Sequence, residues 1–170
     1  MNEEIVVEII DKLNLEELEQ LSELLITVVH DGASIGFLPP IDEEDAKKYL
    51  YSVIEPTNLL LVAKIKNEIV GSVQLQLATK PNATHRSEVA KLMTHPKHRR
   101  KGIGLLLMNK AEELAREQNR SLMILDTREG DPSNLLYTSL NYTEAGRIPM
   151  YAKSANGELD TTVYYYKCLL

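Results

Sequence analysis

The sequence predicts a mixed α/β (α+β) fold in which helices cover a partly antiparallel sheet. Three observations carry this. Short β-branched runs alternate with amphipathic helical patterns along the whole chain. A strand-like meander lies between two early helices and a later β-helix-β-helix-ββ order. No repeat, linker or low-complexity stretch interrupts them, so residues 1–170 read as a single domain.

The elements follow in order. Glu4 to Ile10 is short and β-branched, as a strand is. Asn14 followed by Glu17 is a capping-box pair, and Leu15, Leu18, Leu21, Leu24, Leu25 and Val28 then recur at helical spacing until Asp31-Gly32. After a loop containing Pro39-Pro40, Asp42 caps a second helix through about Val53. Asn58 to Ile65 and Ile69 to Ala78 form a strand pair about the turn Lys66-Asn67-Glu68, and Glu88 to Thr94 is the next strand. Gly102 to about Glu117 is the clearest helix, with an expected apolar stripe of Ile103, Leu106, Leu107, Lys110, Ala111 and Leu114. Leu122 to Asp126 is a strand, and Pro132 suits the first turn of a helix ending near Leu140. Tyr142 to Tyr151 and Thr161 to Cys168 close the chain as a strand pair.

Composition narrows the function classes. Hydrophobic residues make up 44% and charged residues 26%, the ordinary globular range. No apolar run approaches the ~20 residues of a membrane span. The formal net charge of −6 disfavours sequence-independent nucleic-acid binding and is compatible with a cationic substrate such as an amine. Cys168 is the lone cysteine, so neither an internal disulfide nor a cysteine metal site is expected, and a reducing cytoplasm is the expected setting. His30, His85, His95 and His98 lack ligand spacing and read as surface or capping residues.

Arg99-Arg100-Lys101-Gly102-Ile103-Gly104 joins a strand to a helix. A helix start exposes unpaired N–H groups and the positive end of the dipole, and glycines let an anion approach the backbone. A Walker A loop requires Gly-Lys-Ser/Thr, whereas this chain has Gly-Ile-Gly. A dinucleotide loop requires a third glycine, whereas position 107 is Leu107. The pyrophosphate of coenzyme A fits the run without repair.

The stretch from Leu92 to Gly104, with Pro96 before Arg99-Arg100-Lys101-Gly102-Ile103-Gly104, resembles the signature of the GCN5-related N-acetyltransferases. The resemblance implies a mostly antiparallel sheet of about seven strands, splayed after a bulge, with helices on both faces. It implies acetyl-CoA as cosubstrate, no metal, and coenzyme contacts from Leu92, Met93, Thr94, Arg99, Arg100, Lys101, Gly102, Ile103 and Gly104. His30 to Phe37, Lys80-Pro81-Asn82, Leu125-Asp126-Thr127 and Asn156 to Leu159 look more narrowly like segments of tabtoxin-resistance acetyltransferases. Relatives often pair through sheets or helices, so a homodimer is compatible with the sequence.

Acetyl transfer to an amine needs a base, because a free alkylamine with pKa ~10.4 is protonated at neutral pH. It also needs oxyanion donors and an acid for the departing thiolate. The resemblance places Tyr137 as that acid. The surrounding pattern departs from the family's, with Gly130 for Asn, Ser133 for Ala, Asn141 for Gly and Tyr142 for Phe. Asp126, at a strand end, is either a base, as the tabtoxin-resistance resemblance implies, or a turn cap. Glu88 shares a strand face with Ala90 and Leu92 by period 2, which offers a carboxylate for the amine. The loop holding His30, Ser34 and Phe37 is the candidate wall of the acceptor pocket, with Phe37 alternatively a core anchor. The expected reaction is direct transfer from acetyl-CoA to a primary amine of a small, amino-acid-like molecule in a ternary complex.

Overall fold

The structure, a computed structural model, describes residues 3–170. Its elements are β1 (Ile5–Ile10), α1 (Leu15–His30), α2 (Glu43–Val53), β2 (Asn58–Ile65), β3 (Glu68–Leu77), β4 (Arg86–Thr94), α3 (Ile103–Glu117), β5 (Leu122–Arg128), α4 (Ser133–Ser139), β6 (Thr143–Lys153) and β7 (Leu159–Cys168). A 3-10 turn at Pro96–His98, absent from the sequence reading, links β4 to the glycine run. Local signals set the early boundaries. The Asn14 side chain accepts the Glu17 N–H at 2.8 Å while Glu17 accepts the Asn14 N–H at 3.3 Å, and Asp42 accepts the Asp45 N–H at 2.8 Å.

The strands form one seven-stranded sheet in the order β1-β2-β3-β4-β5-β7-β6. Every neighbouring pair is antiparallel except β4 and β5. That parallel pair holds only from Arg86↔Leu122 to Glu88↔Ile124. Beyond it β4 stays with β3 as far as Thr94, whereas β5 stays with β7 as far as Arg128. The sheet is therefore splayed between its fourth and fifth strands.

Two apolar clusters flank the sheet. One joins Ile103, Leu107, Ala111 and Leu114 of α3 and Tyr137 of α4 to Val73, Leu75, Val89, Met123 and Leu125. The other joins Leu21, Leu25 and Val28 of α1 and Ala46 and Leu50 of α2 to Leu60, Val62 and Met93. Each side chain that leaves water for these clusters adds roughly 25 cal/mol per Å² of apolar surface. The α3 stripe differs from expectation at two positions. Leu106 is exposed and Lys110 reaches out to Glu113 at 3.1 Å, while Met108 and Ala115 are buried instead. The buried face is thus turned toward Glu112, whose carboxylate is held by Lys167 at 2.9 Å.

Candidate active site

The strand leading into the glycine run is bulged. Ser72 pairs with Met93 and Gln74 with Ala90, so Lys91 and Leu92 together oppose Val73. Lys91, within this bulge, takes a left-handed φ of 55°. The bulge corrects one expectation. Leu92 packs on the same cluster as Val89, three residues before it, so the alternation is broken and Leu92 does not share the face of Glu88.

After the 3-10 turn, Arg100 and Gly102 lie at φ 60° and 80°. A left-handed N-cap suits glycine. Gly102 offers no side-chain cap, which leaves the first-turn N–H groups of α3 for an anion. Ile103 is buried beneath the turn. Gly104 faces α4, where a Cβ would stand 3.2 Å from Leu136 Cδ2, so its lack of a side chain serves helix packing. Arg99, Arg100 and Lys101 are exposed. Arg99 is tied to Asp31 at 2.6 Å, and Lys101 Nζ lies 3.2 Å from His98 Nδ1. Cations, an uncapped helix start and a left-handed turn together fit the pyrophosphate of coenzyme A.

A cavity of about 440 Å³ opens where β4 and β5 part. Its walls include Val89 to Leu92 on one side, Asp126 to Arg128 on the other, Ala33 to Gly36 above, and Tyr137. Glu88, Asp126, Ser34 and Tyr137 thus come together here, from segments far apart in sequence. Burial, and secondarily the charge of Asp126, raises the Glu88 pKa above the ordinary carboxylate value. Asp126 accepts a hydrogen bond from Thr162 Oγ1 at 2.7 Å, which fixes its carboxylate at the cavity floor. Tyr137 is buried beside Tyr142 and Tyr165, with ring centroids 5.9 Å away in each case. Burial pushes its pKa far up, so the phenol keeps its proton.

Two other candidates stand outside the cavity lining. His30 accepts the Ile41 N–H through Nε2 at 3.3 Å and so joins the two ends of the loop. Phe37 stacks edge-on against Tyr49, with centroids 4.9 Å apart. That contact joins the loop to α2. The sequence reading missed Lys91 and Arg128. Arg128 donates to Asp131 at 3.0 Å, to Ser154 Oγ at 2.9 Å and to the Gly32 carbonyl at 2.9 Å, which ties the loop to the end of β5. Tyr151, also in the wall, meets the Tyr164 hydroxyl at 2.9 Å. Most of their partners are distant in sequence, so no local pattern marks them. Among the described residues no group of three or more His, Cys, Asp or Glu could hold a metal ion. No helix among them is long and apolar enough to cross a membrane.

Comparison with known proteins finds the same fold elsewhere. The fold is shared with yncA of Salmonella typhimurium, solved with its cofactor acetyl-CoA, at TM-score 0.80 and 16% identity over 98% of this chain and 94% of that one. It is shared with a ribosomal-protein-alanine N-acetyltransferase from Brucella melitensis at TM-score 0.80 and 19% identity, covering 96% and 99%. An aminoglycoside 6'-N-acetyltransferase complexed with coenzyme A matches at TM-score 0.77 and 17% identity, covering 97% of each chain. The model of the acetyltransferase (GNAT) family matches residues 15–142, and the chain belongs to that family as an acetyl-CoA-dependent N-acetyltransferase.

Proposed function

We propose that the enzyme acetylates the primary amine of a small, amino-acid-like molecule by direct attack within a ternary complex. The observation that carries this reading is the wall formed by Ala33 to Gly36 over the cavity in the sheet gap. A peptide needs an open groove, whereas this loop is pinned over the site by Arg128 and by His30. A volume of about 440 Å³ suits a small molecule. Among branches of the family, the tabtoxin-resistance type is the one we favour, on the segments from His30 to Phe37 and from Leu125 to Thr127. A cytoplasmic setting agrees with the single free, exposed Cys168.

Acetyl-CoA, when bound, supplies the acetyl group as a thioester. In this reading the turn from Arg99 to Gly104 holds its pyrophosphate, and the bulged stretch Leu92 to Thr94 faces its pantetheine arm. Glu88 takes the proton from the acceptor nitrogen, directly or through water. Its raised pKa makes it a stronger base than an exposed carboxylate. Asp126 adds negative charge that attracts the amine. Tyr137 holds its phenol proton beside the gap, ready for a departing thiolate.

The test is release of free thiol from acetyl-CoA over a panel of amines, with β-lactam-bearing and other unusual amino acids beside lysine peptides. We expect one or more small amines to raise the rate well above buffer while the peptides do not. Turnover confined to peptides would overturn the small-molecule reading. Thermal stabilisation by acetyl-CoA with no turnover of any amine would favour a sensor.

A further inference from the structure

Two cations line the acceptor cavity, and they are used differently. All three nitrogens of the Arg128 guanidinium are committed to protein partners. Lys91, among the described residues, enters no ion pair and donates no hydrogen bond, although it is partly buried. Its ammonium lies against the loop at Gly36 and Phe37. Nζ lies where a Cβ on Gly36 would be 3.0 Å away, and it stands 5.7 Å from the centroid of the Phe37 ring. A partly desolvated ammonium over an aromatic face gains some compensation, but an anion satisfies it better. Glu88 and Asp126 attract it, yet neither carboxylate lies within ion-pair distance of it. Burial accordingly lowers the Lys91 pKa against the pull of both.

The cavity therefore has two poles: carboxylates on the strands at its floor and one uncommitted cation against the loop. Only the bulge makes this possible, because the left-handed φ of 55° at Lys91 redirects its side chain out of the normal alternation. We infer that Lys91 binds a carboxylate of the acceptor, so that the substrate is a zwitterion whose amine meets Glu88 and Asp126 and whose carboxylate meets Lys91 Nζ. The inference rests on the acceptor cavity assigned under the proposed function. It also sets this enzyme apart from one for polyamines or aminoglycosides, whose second ammonium would face Lys91.

The test uses the twenty L-amino acids and their α-carboxamides as matched acceptors. The carboxamides carry the less basic amine, so a preference for the acids cannot come from a greater supply of free amine. Turnover is measured by thiol release and binding by calorimetry, on wild type, Lys91→Asn and Lys91→Arg. Asparagine tolerates the left-handed backbone while removing the charge. At least one acid is expected to exceed its amide by about tenfold or more in kcat/KM and in affinity, as a charge-assisted hydrogen bond implies. Lys91→Asn should erase that margin by weakening turnover and binding of the acid far more than of the amide, and Lys91→Arg should restore it. A panel in which no acid outperforms its amide overturns the inference, as does a margin that survives in Lys91→Asn. Selective binding of acids without turnover would support Lys91 and count against the catalytic reading. Turnover of amides equal to acids would do the reverse.

Discussion

The turn before α3 and the gap between β4 and β5 are built in opposite ways. The turn is one contiguous run, Arg99 to Gly104, exposed except where Ile103 and Gly104 enter α3, and shaped by backbone angles at Arg100 and Gly102. The gap draws its side chains from the α1–α2 loop, β4, β5, α4 and the β6–β7 pair. A site made from uncapped backbone N–H groups needs little beyond a local turn, so the same coenzyme end can serve many enzymes. A site made from converging side chains changes with any one of them. The similar folds include enzymes named for a ribosomal protein's alanine and for an aminoglycoside, which is the divergence this contrast implies.

If the two regions divide the labour in this way, substitutions in the gap should alter turnover and leave the coenzyme bound. The largest effect is expected for Tyr137→Phe, which removes the phenol proton but keeps the ring packed against Tyr142 and Tyr165. Steady-state kinetics should show kcat falling about a hundredfold or more, with calorimetry showing acetyl-CoA affinity little changed. Equal turnover in mutant and wild type would remove Tyr137 from the mechanism. A smaller effect is expected for Glu88→Gln, with kcat/KM reduced roughly tenfold or more at its plateau. The base form of Glu88 exists above its pKa, which burial and Asp126 raise. Wild-type rates should therefore fall as the pH drops through a value above the ordinary carboxylate range, and the variant should lose that limb. A raised pKa also means that the folded state holds this proton more tightly than the unfolded chain does. Its contribution to stability is present below the unfolded pKa and is lost as pH rises through the folded one. Thermal melts of Glu88→Gln should lack that decline. An acid limb kept by the variant would assign the base elsewhere.

The same contrast explains what could be read from the sequence. The caps at Asn14 and Asp42, the bounds of β2 and the helix from Ile103 to Glu117 were legible because each rests on a local pattern. The glycine run was legible for the same reason. The bulge was not located, because period 2 gives no sign of where an extra residue enters, and so Leu92 was placed on the wrong face. Leu106 and Lys110 were assigned to the buried stripe because α3 presents enough apolar residues for two adjacent faces, and only docking on the sheet selects between them. Lys91 and Arg128 stand in no sequence pattern that singles them out. Their roles come from Gly36, Phe37, Gly32 and Ser154, all distant in sequence. Asp126 and Tyr137 were picked out through family resemblance, and the structure brings both to the cavity.

The most direct test of the division of labour is a calorimetric titration of acetyl-CoA into Gly102→Asp and Glu88→Gln side by side. Gly102→Asp puts a carboxylate at the uncapped start of α3, where nothing lies within 4 Å of the new Cβ, so the repulsion falls on a bound anion and not on the protein. The left-handed φ of 80° is one that Asp tolerates better than most residues, which keeps the variant folded. The expected result is loss of measurable acetyl-CoA binding in folded Gly102→Asp and near wild-type affinity in Glu88→Gln. Undiminished affinity in folded Gly102→Asp would contradict the assignment of the turn to the coenzyme.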